Sequence, residues 1–105
     1  MIVYTITVID VVGDFLLGNR RTPAIFTSLE QAISVVRDND HDLNDNNLYQ
    51  YAVIEKSMLD IVFPDLHLDM ERYWFKFNTT SQEFEPCDIM VIPKNIARLR
   101  GFGIG

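Results

Sequence analysis

Cysteine is almost absent from this sequence, which contains only Cys87. A lone thiol excludes an intrachain disulfide, and this fits a reducing compartment such as the cytoplasm. Basic residues are also scarce, because 9 lysines and arginines stand against 15 acidic residues and the formal net charge is −6. A surface with this balance repels phosphate backbones on average, so we expect no non-specific binding to DNA or RNA.

Long hydrophobic runs are missing as well. The apolar N-terminal segment MIVYTITVIDVV is interrupted by two threonines, carries no basic leader and falls short of membrane-spanning length. We therefore expect a strand there rather than a signal peptide, and no association with a membrane. The 105 residues are enough for a single domain, 1–105, whose core needs no disulfide, metal or cofactor.

The clearest periodicity lies in residues 27–38, which read TSLEQAISVVRD. Four apolar residues have the spacing of one helix face: Leu29, Ala32, Ile33 and Val36. Thr27 and Glu30 match the capping box that begins a helix. The pattern predicts one amphipathic helix, and its narrow apolar stripe needs a sheet to pack against.

Alternating apolar residues predict about five strands around this helix. We expect strands at residues 2–11, 24–26, 48–57, 71–78 and 83–89, followed by a short helix from Pro93 to about Arg98. The order β-β-α-β-β-β predicts an α+β fold, in which a mainly antiparallel sheet carries one amphipathic helix on one face and a short C-terminal helical turn follows.

Three stretches are predicted to be irregular. Gly18 and Asn19 indicate an irregular or hairpin connection before the short second strand. Residues 38–47, DNDHDLNDNN, are too polar and too rich in Asp and Asn to pack, which predicts an exposed loop. Pro64 interrupts residues 58–70, which we interpret as a packed excursion without regular structure.

One helix can cover only one face of such a sheet, so we predict that the other face is partly open. Thr5 and Thr7 would lie there with either Trp74 or the row of Tyr49 and Tyr51, depending on the register. An open face with aromatic and β-branched residues is an interaction surface, and small acidic proteins use it most often for self-association. We therefore expect a homodimer or a larger homo-oligomer.

Trp74 lies between Arg72 and Lys76, and strand alternation places all three side chains on one side. An indole between two cations can stack a base while a cation holds its phosphate, or it can anchor a protein interface. We prefer the interface.

Glu55 is a further candidate, because a buried carboxylate needs a partner and several arginines could supply it. The remaining candidates for ligand or partner binding are Tyr51, Arg20 and Arg21.

Metal and nucleophile chemistry have weaker support. Three aspartates match positions 1, 3 and 5 of a calcium loop: Asp38, Asp40 and Asp42. Leu43 stands where that loop needs glycine, and Tyr49 stands where it needs a carboxylate, so a solvated acidic loop is the better interpretation. Nothing near Cys87 indicates a lowered thiol pKa, and we prefer a packed thiol to a nucleophile.

The order of several segments resembles a family of small uncharacterised proteins from bacteria and their phages. The segments are FTSLEQAISVVRDND, DLND, YQYAVIEK, YWFKF and the glycine-bearing end GFGIG. The positions that match are Phe26 before the helix, Asn39 near its end, Asp42 with Asp45 in the loop, residues 51–55 in a Tyr-Ala-Val-Ile-Glu strand, and Trp74 with Phe75 in an aromatic strand. This sequence departs from the family pattern in two ways: Asp45 replaces a glutamate, and one residue is inserted before Tyr49. The resemblance implies the same fold and a phage or mobile-element origin, but no activity.

Three hypotheses follow. The first is a non-enzymatic cytoplasmic binding protein, encoded by a phage, that acts on a host process such as defence by binding a host protein. The second is a binding protein that sequesters a small anionic or nucleotide-like ligand at a subunit interface, with Trp74 stacking on the ligand. The third, ranked below both, is a small enzyme that uses Glu55 or an aspartate as a general base.

Overall fold

The computed structural model describes residues 2–12, 16–58 and 71–97. The predicted excursion after Met58 and the glycine-bearing end at residues 101–105 lie outside these ranges, as does Arg98. Within the described ranges, no helix is long and apolar enough to cross a membrane.

The described residues form one antiparallel sheet and one helix of more than a single turn. The strands are β1 (Ile2–Val12), β2 (Leu16–Phe26), β3 (Tyr51–Met58), β4 (Arg72–Asn78) and β5 (Glu83–Pro86). They pair in the order β2-β1-β3-β4-β5, and every pair is antiparallel. The helix α1 (Leu29–Arg37) precedes β3, and a 3₁₀ turn (Ile89–Val91) and the short helix α2 (Lys94–Ala97) follow β5. The predicted α+β class, the five-stranded antiparallel sheet and the packed helix are confirmed.

Helix α1 packs its predicted stripe against the sheet. Ala32 and Val36 are buried, and Leu29 and Ile33 are partly buried against the same cluster. The N-cap is Ser28 and not Thr27, because the Ser28 hydroxyl accepts the backbone N–H of Gln31 at 3.3 Å. The hydroxyl therefore satisfies one of the N–H groups that the first turn leaves open.

Hydrophobic clusters lie on both faces of the sheet. The helix-side cluster lies between the sheet and α1 and includes Ile6, Val8, Ile54, Phe75 and Phe84. The far-side cluster lies on the opposite face and consists of Ile9, Val53, Trp74, Ile92 and Ile96. Both clusters follow from strand alternation, because successive side chains of one strand point to opposite faces.

The prediction that the far side is partly open is wrong for the residues on which it rested. Thr5, Thr7 and Trp74 are at most 5% exposed. Ile92 and Ile96 come from residues 89–97, so a short apolar segment and the single-turn helix α2 cover the centre of this face. The sequence prediction counted only the amphipathic helix as cover for the sheet. A short apolar segment can also bury a sheet face, although it has no amphipathic pattern.

Strand β2 is much longer than predicted because two bulges absorb its irregular residues. Between Ile6 and Val8 of β1, the pairing skips Thr22 and Pro23, and a second shift skips Gly18 and Asn19. A proline cannot donate to a sheet ladder, and glycine weakens a strand, so both are tolerated at bulges of an edge strand such as β2. The residues that seemed to interrupt the strand are therefore part of it.

The observed boundaries of β3 and β5 differ less from the predicted ones. Strand β3 begins at Tyr51 rather than at residue 48, and β5 ends at Pro86 rather than at residue 89. Tyr49 consequently lies outside β3 and belongs to the helix-side cluster, away from Tyr51.

Residues 38–47 form a tightly folded loop. Six of them have positive φ angles between 49° and 70°: Asn39, His41, Asp42, Asp45, Asn46 and Asn47. Asn and Asp tolerate this left-handed conformation better than most residues because their short side chains bond to the local backbone. Asn39 Oδ1 accepts the backbone N–H of Asn44 at 3.0 Å, and Asp42 Oδ2 accepts that of Asn46 at 3.1 Å.

The same loop contributes to the core, so the prediction that it could not pack is wrong. Leu43 is 5% exposed and belongs to the helix-side cluster, and Asn44 is 1% exposed. The Asn44 side chain lies within hydrogen-bond distance of those of Asn39 and Asn47, at 3.0 and 3.1 Å. The tight turns direct one leucine inward while the amide groups satisfy one another.

Replacing Leu43 with alanine should destabilise the whole domain. We expect Leu43→Ala to lower the free energy of unfolding by about 2–5 kcal/mol, because the substitution leaves a cavity in the core. Urea denaturation measures this loss. Leu48→Ala is the matched control, because Leu48 is 37% exposed, and its cost should be about 1 kcal/mol or less. Equal losses in the two variants would contradict the packed loop.

Candidate functional site

A buried ion pair joins β3 and β4 on the far side. The register places Glu55 opposite Arg72. The Arg72 Nε and Nη2 atoms both lie 3.1 Å from Glu55 Oε2, and the two side chains are 8% and 0% exposed. Arg72 Nη1 also donates to the carbonyl of Ala97 at 3.0 Å. The predicted need of Glu55 for a cationic partner is therefore met by Arg72.

The same guanidinium covers Trp74. Its carbon lies 5.6 Å from the centre of the indole ring, and Trp74 is 5% exposed. Lys76 shares this side of β4, as predicted, but it is exposed and lies opposite Tyr51 rather than over the indole. The expected arrangement of an accessible indole between Arg72 and Lys76 is thus replaced by a buried indole under the Arg72 guanidinium.

The other predicted site residues are not gathered around this pair. Arg20 lies opposite Ile9 on the far side, whereas Arg21 lies opposite Val8 and stacks over Tyr49 at 5.6 Å on the helix side. Tyr51 is partly buried against the far-side cluster. The described structure therefore brings Glu55, Arg72 and Trp74 together and places Arg20 and Arg21 on opposite faces.

A cleft opens beside β4, where β5 ends. Strand β5 pairs with β4 only from Phe75 to Asn78, so the first half of β4 extends past it. The cleft has a volume of about 570 Å³. Its walls come from α1 (Ile33 and Arg37), from β4 (residues 72–75) and from the following chain (Pro86, Cys87, Ile89 and Ala97). Arg37 is exposed, and it forms no ion pair with another described residue.

An apolar ridge borders this cleft. The ridge consists of Ile89, Met90 and Val91, whose exposed fractions are 50%, 88% and 47%. Ile89 lines the cleft, and Val91 lines a second hollow of about 490 Å³. Three consecutive apolar side chains are therefore exposed to solvent, and the first and the last of them each border a depression.

The ridge is held in a defined conformation. Asp88 Oδ1 accepts the backbone N–H of Met90 at 3.0 Å, and the Asp88 carbonyl accepts that of Val91 at 2.9 Å. Ile92, the next residue, is 2% exposed and anchors the turn in the far-side cluster. The side chains of the ridge are exposed because the turn directs them outward.

Cys87 precedes the ridge in the chain and lines the cleft. Burial raises the pKa of its thiol, the charge of Asp88 raises it further, and the charge of Lys76 lowers it. At neutral pH the sulfur is therefore protonated, and this makes it a poor nucleophile.

Sequence reasoning missed four residues of this site: Arg37, Ile89, Met90 and Val91. The available signal was the run IMVI at residues 89–92, four consecutive apolar residues with neither strand alternation nor helical spacing. Among the described residues, no group of three or more histidines, cysteines and carboxylates is arranged to hold a metal ion.

Comparisons with family models, with curated proteins and with solved structures find no match to this chain. The resemblance to the family of small bacterial and phage proteins therefore stays a prediction. The function has to be inferred from the geometry of the site itself.

Breaking the buried ion pair should cost much stability. Arg72→Met leaves the Glu55 carboxylate buried without this cation, so we expect the free energy of unfolding to fall by about 3–5 kcal/mol in urea denaturation. Replacing both residues with methionine should recover most of this loss, because both charges of the pair are then removed together.

Lys56→Met is the matched control for the ion-pair variant. Lys56 lies 3.6 Å from Glu71 in an ion pair whose side chains are 33% and 57% exposed, so its loss should cost about 1 kcal/mol or less. A similar loss in both single variants would contradict a special role for the buried pair.

The titration of Cys87 should respond to its two charged neighbours in opposite directions. Lys76→Gln removes the cation that lowers the thiol pKa, so the pKa should rise, whereas Asp88→Asn removes an anion and should lower it. The pH dependence of the rate of iodoacetamide labelling measures both shifts. Shifts in the same direction would show that the local charges do not act on this thiol.

Proposed function

We propose that this chain is a non-enzymatic binding protein that engages a protein partner through the apolar ridge and the cleft beside it. The observation that carries this proposal is the exposure of Ile89, Met90 and Val91 on a capped and anchored turn. Apolar side chains gain free energy when they leave water, and a contiguous exposed group typically marks a protein interface.

The composition of the site supports a partner of particular chemistry. A ridge flanked by hollows provides the interlocking shape of well-packed interfaces, in which a few buried side chains carry most of the binding energy. Arg37 adds a cation without an ion pair to any described residue, and a guanidinium binds carboxylates well. The partner should therefore present an apolar side chain next to an acidic one.

The same geometry argues against the two alternative functions. The stacking role predicted for Trp74 needs an accessible indole face, but the indole is buried under Arg72. The enzyme hypothesis needs a general base that substrate can reach. Glu55 does not meet this need, because its side chain is 0% exposed and does not line the cleft, so only the aspartate of that hypothesis is left for the role.

The setting of this binding protein remains a part of the proposal. The single cysteine is consistent with a reducing compartment such as the cytoplasm. The family resemblance adds a phage or mobile-element origin, which makes a host protein one candidate partner for this surface.

Selection of peptides from a random display library tests the proposed function. Peptides that bind the wild-type chain should pair an apolar residue with an acidic one. Met90→Asp should weaken the binding of a synthesised copy of a selected peptide by about tenfold or more, because it places a charge at the centre of the ridge. Fluorescence polarisation measures this affinity. Failure to select any peptide would contradict the proposal.

The matched control is Ile25→Asp, which also places a charge on an exposed apolar side chain. Ile25 is 60% exposed and lies on β2, the strand at the opposite edge of the sheet from β5. This variant should bind the selected peptides within about twofold of the wild type. Equal weakening by both substitutions would show that the peptides do not recognise the ridge.

A further inference from the structure

We infer that a second copy of this chain occupies the ridge and the cleft, so that two copies form a symmetric dimer. The inference rests on the proposed function and names the partner of the same surface. It follows from a comparison between what the cleft should recognise and what the chain itself exposes.

The chain displays the chemistry that its own cleft selects. The cleft offers apolar walls and the Arg37 guanidinium, which fit an apolar side chain beside a carboxylate. The segment Asp88, Ile89 and Met90 presents a carboxylate followed by two exposed apolar side chains. No heterologous sequence is needed to fill the site.

The arrangement also suits a two-fold axis. In a symmetric dimer the same patch is used by both copies, so it must complement itself. The ridge and the cleft share Ile89, and they therefore lie side by side on one surface. Rotation about an axis near Ile89 lays the ridge of each copy on the cleft of the other.

The charges complete the match. Within one chain, Arg37 and Asp88 form no ion pair. Asp88 Oδ1 caps the turn of the ridge, and the second carboxylate oxygen can still accept hydrogen bonds. In the dimer, Arg37 of each copy would pair with Asp88 of the other, which gives two equivalent contacts across the axis.

Charge reversal with mixing tests this dimer. We expect the wild-type chain to show a concentration-dependent dimer in sedimentation velocity. Arg37→Glu and Asp88→Arg should each weaken self-association by about tenfold or more, because each homodimer then contains two repulsive contacts.

An equimolar mixture of the two variants should restore the dimer. Both contacts become attractive again in the heterodimer, since the introduced glutamate of one variant faces the introduced arginine of the other, and the native Asp88 of the first faces the native Arg37 of the second. A variant that had merely lost its fold would not be rescued by mixing. Ile25→Glu is the control, because Ile25 is exposed but lies away from the ridge and the cleft, and this substitution should leave the dimer unchanged.

The outcomes separate the two proposals. A wild-type chain that sediments as a monomer at every concentration overturns the dimer, and so does a mixture that remains monomeric. If the selected peptides still bind such a monomer, the proposed function stands and only the second copy is wrong. If no peptide binds either, the proposed function fails as well.

Discussion

The Arg72 guanidinium is the group on which the far side of this fold depends. It pairs with Glu55 of the neighbouring strand, covers Trp74 of its own strand and bonds the carbonyl of Ala97. One planar group with five donors can make these contacts together, which an ammonium group cannot. Because the carboxylate is fully buried, its charge has to be compensated within the protein.

This constraint positions the surface that we consider functional. Arg72 fixes one end of the C-terminal segment at Ala97, and Ile92 and Ile96 fix it against the far-side cluster. The residues between β5 and Ile92 must then connect the end of β5 to the far-side cluster. The Asp88 cap turns the side chains of the ridge outward along this connection. The exposed apolar group is thus a consequence of how its neighbours are buried.

Features with local causes could be predicted from the sequence. The spacing of Ala32 and Val36 defines a helix face without reference to the rest of the chain, and alternation alone places Arg72, Trp74 and Lys76 on one side of a strand. Their burial could not be predicted in this way, because it depends on a distant segment whose apolar run has no period. The pairing of Glu55 with Arg72 likewise depends on the register between two strands, whereas the sequence alone offers several arginines as possible partners. The length of strand β2 was predicted wrongly for a related reason. Pro23 and Gly18 would end a central strand, but β2 lies at an edge and pairs on one side only. The position of a bulge depends on the pairing with the partner strand, and the local sequence of one strand does not indicate how it pairs.

The loop between α1 and β3 explains some of the acidic residues of this chain by backbone conformation. Asp42 and Asp45 occupy backbone positions where a side chain branched at Cβ would clash, and there asparagine could replace them more readily than most residues. Their negative charge is therefore a by-product of chain geometry. Replacing both aspartates with asparagine would change the formal net charge only from −6 to −4 and would keep a side-chain oxygen to accept the backbone N–H of Asn46, so a part of the acidic surplus reflects the geometry of this loop rather than the chemistry of a partner.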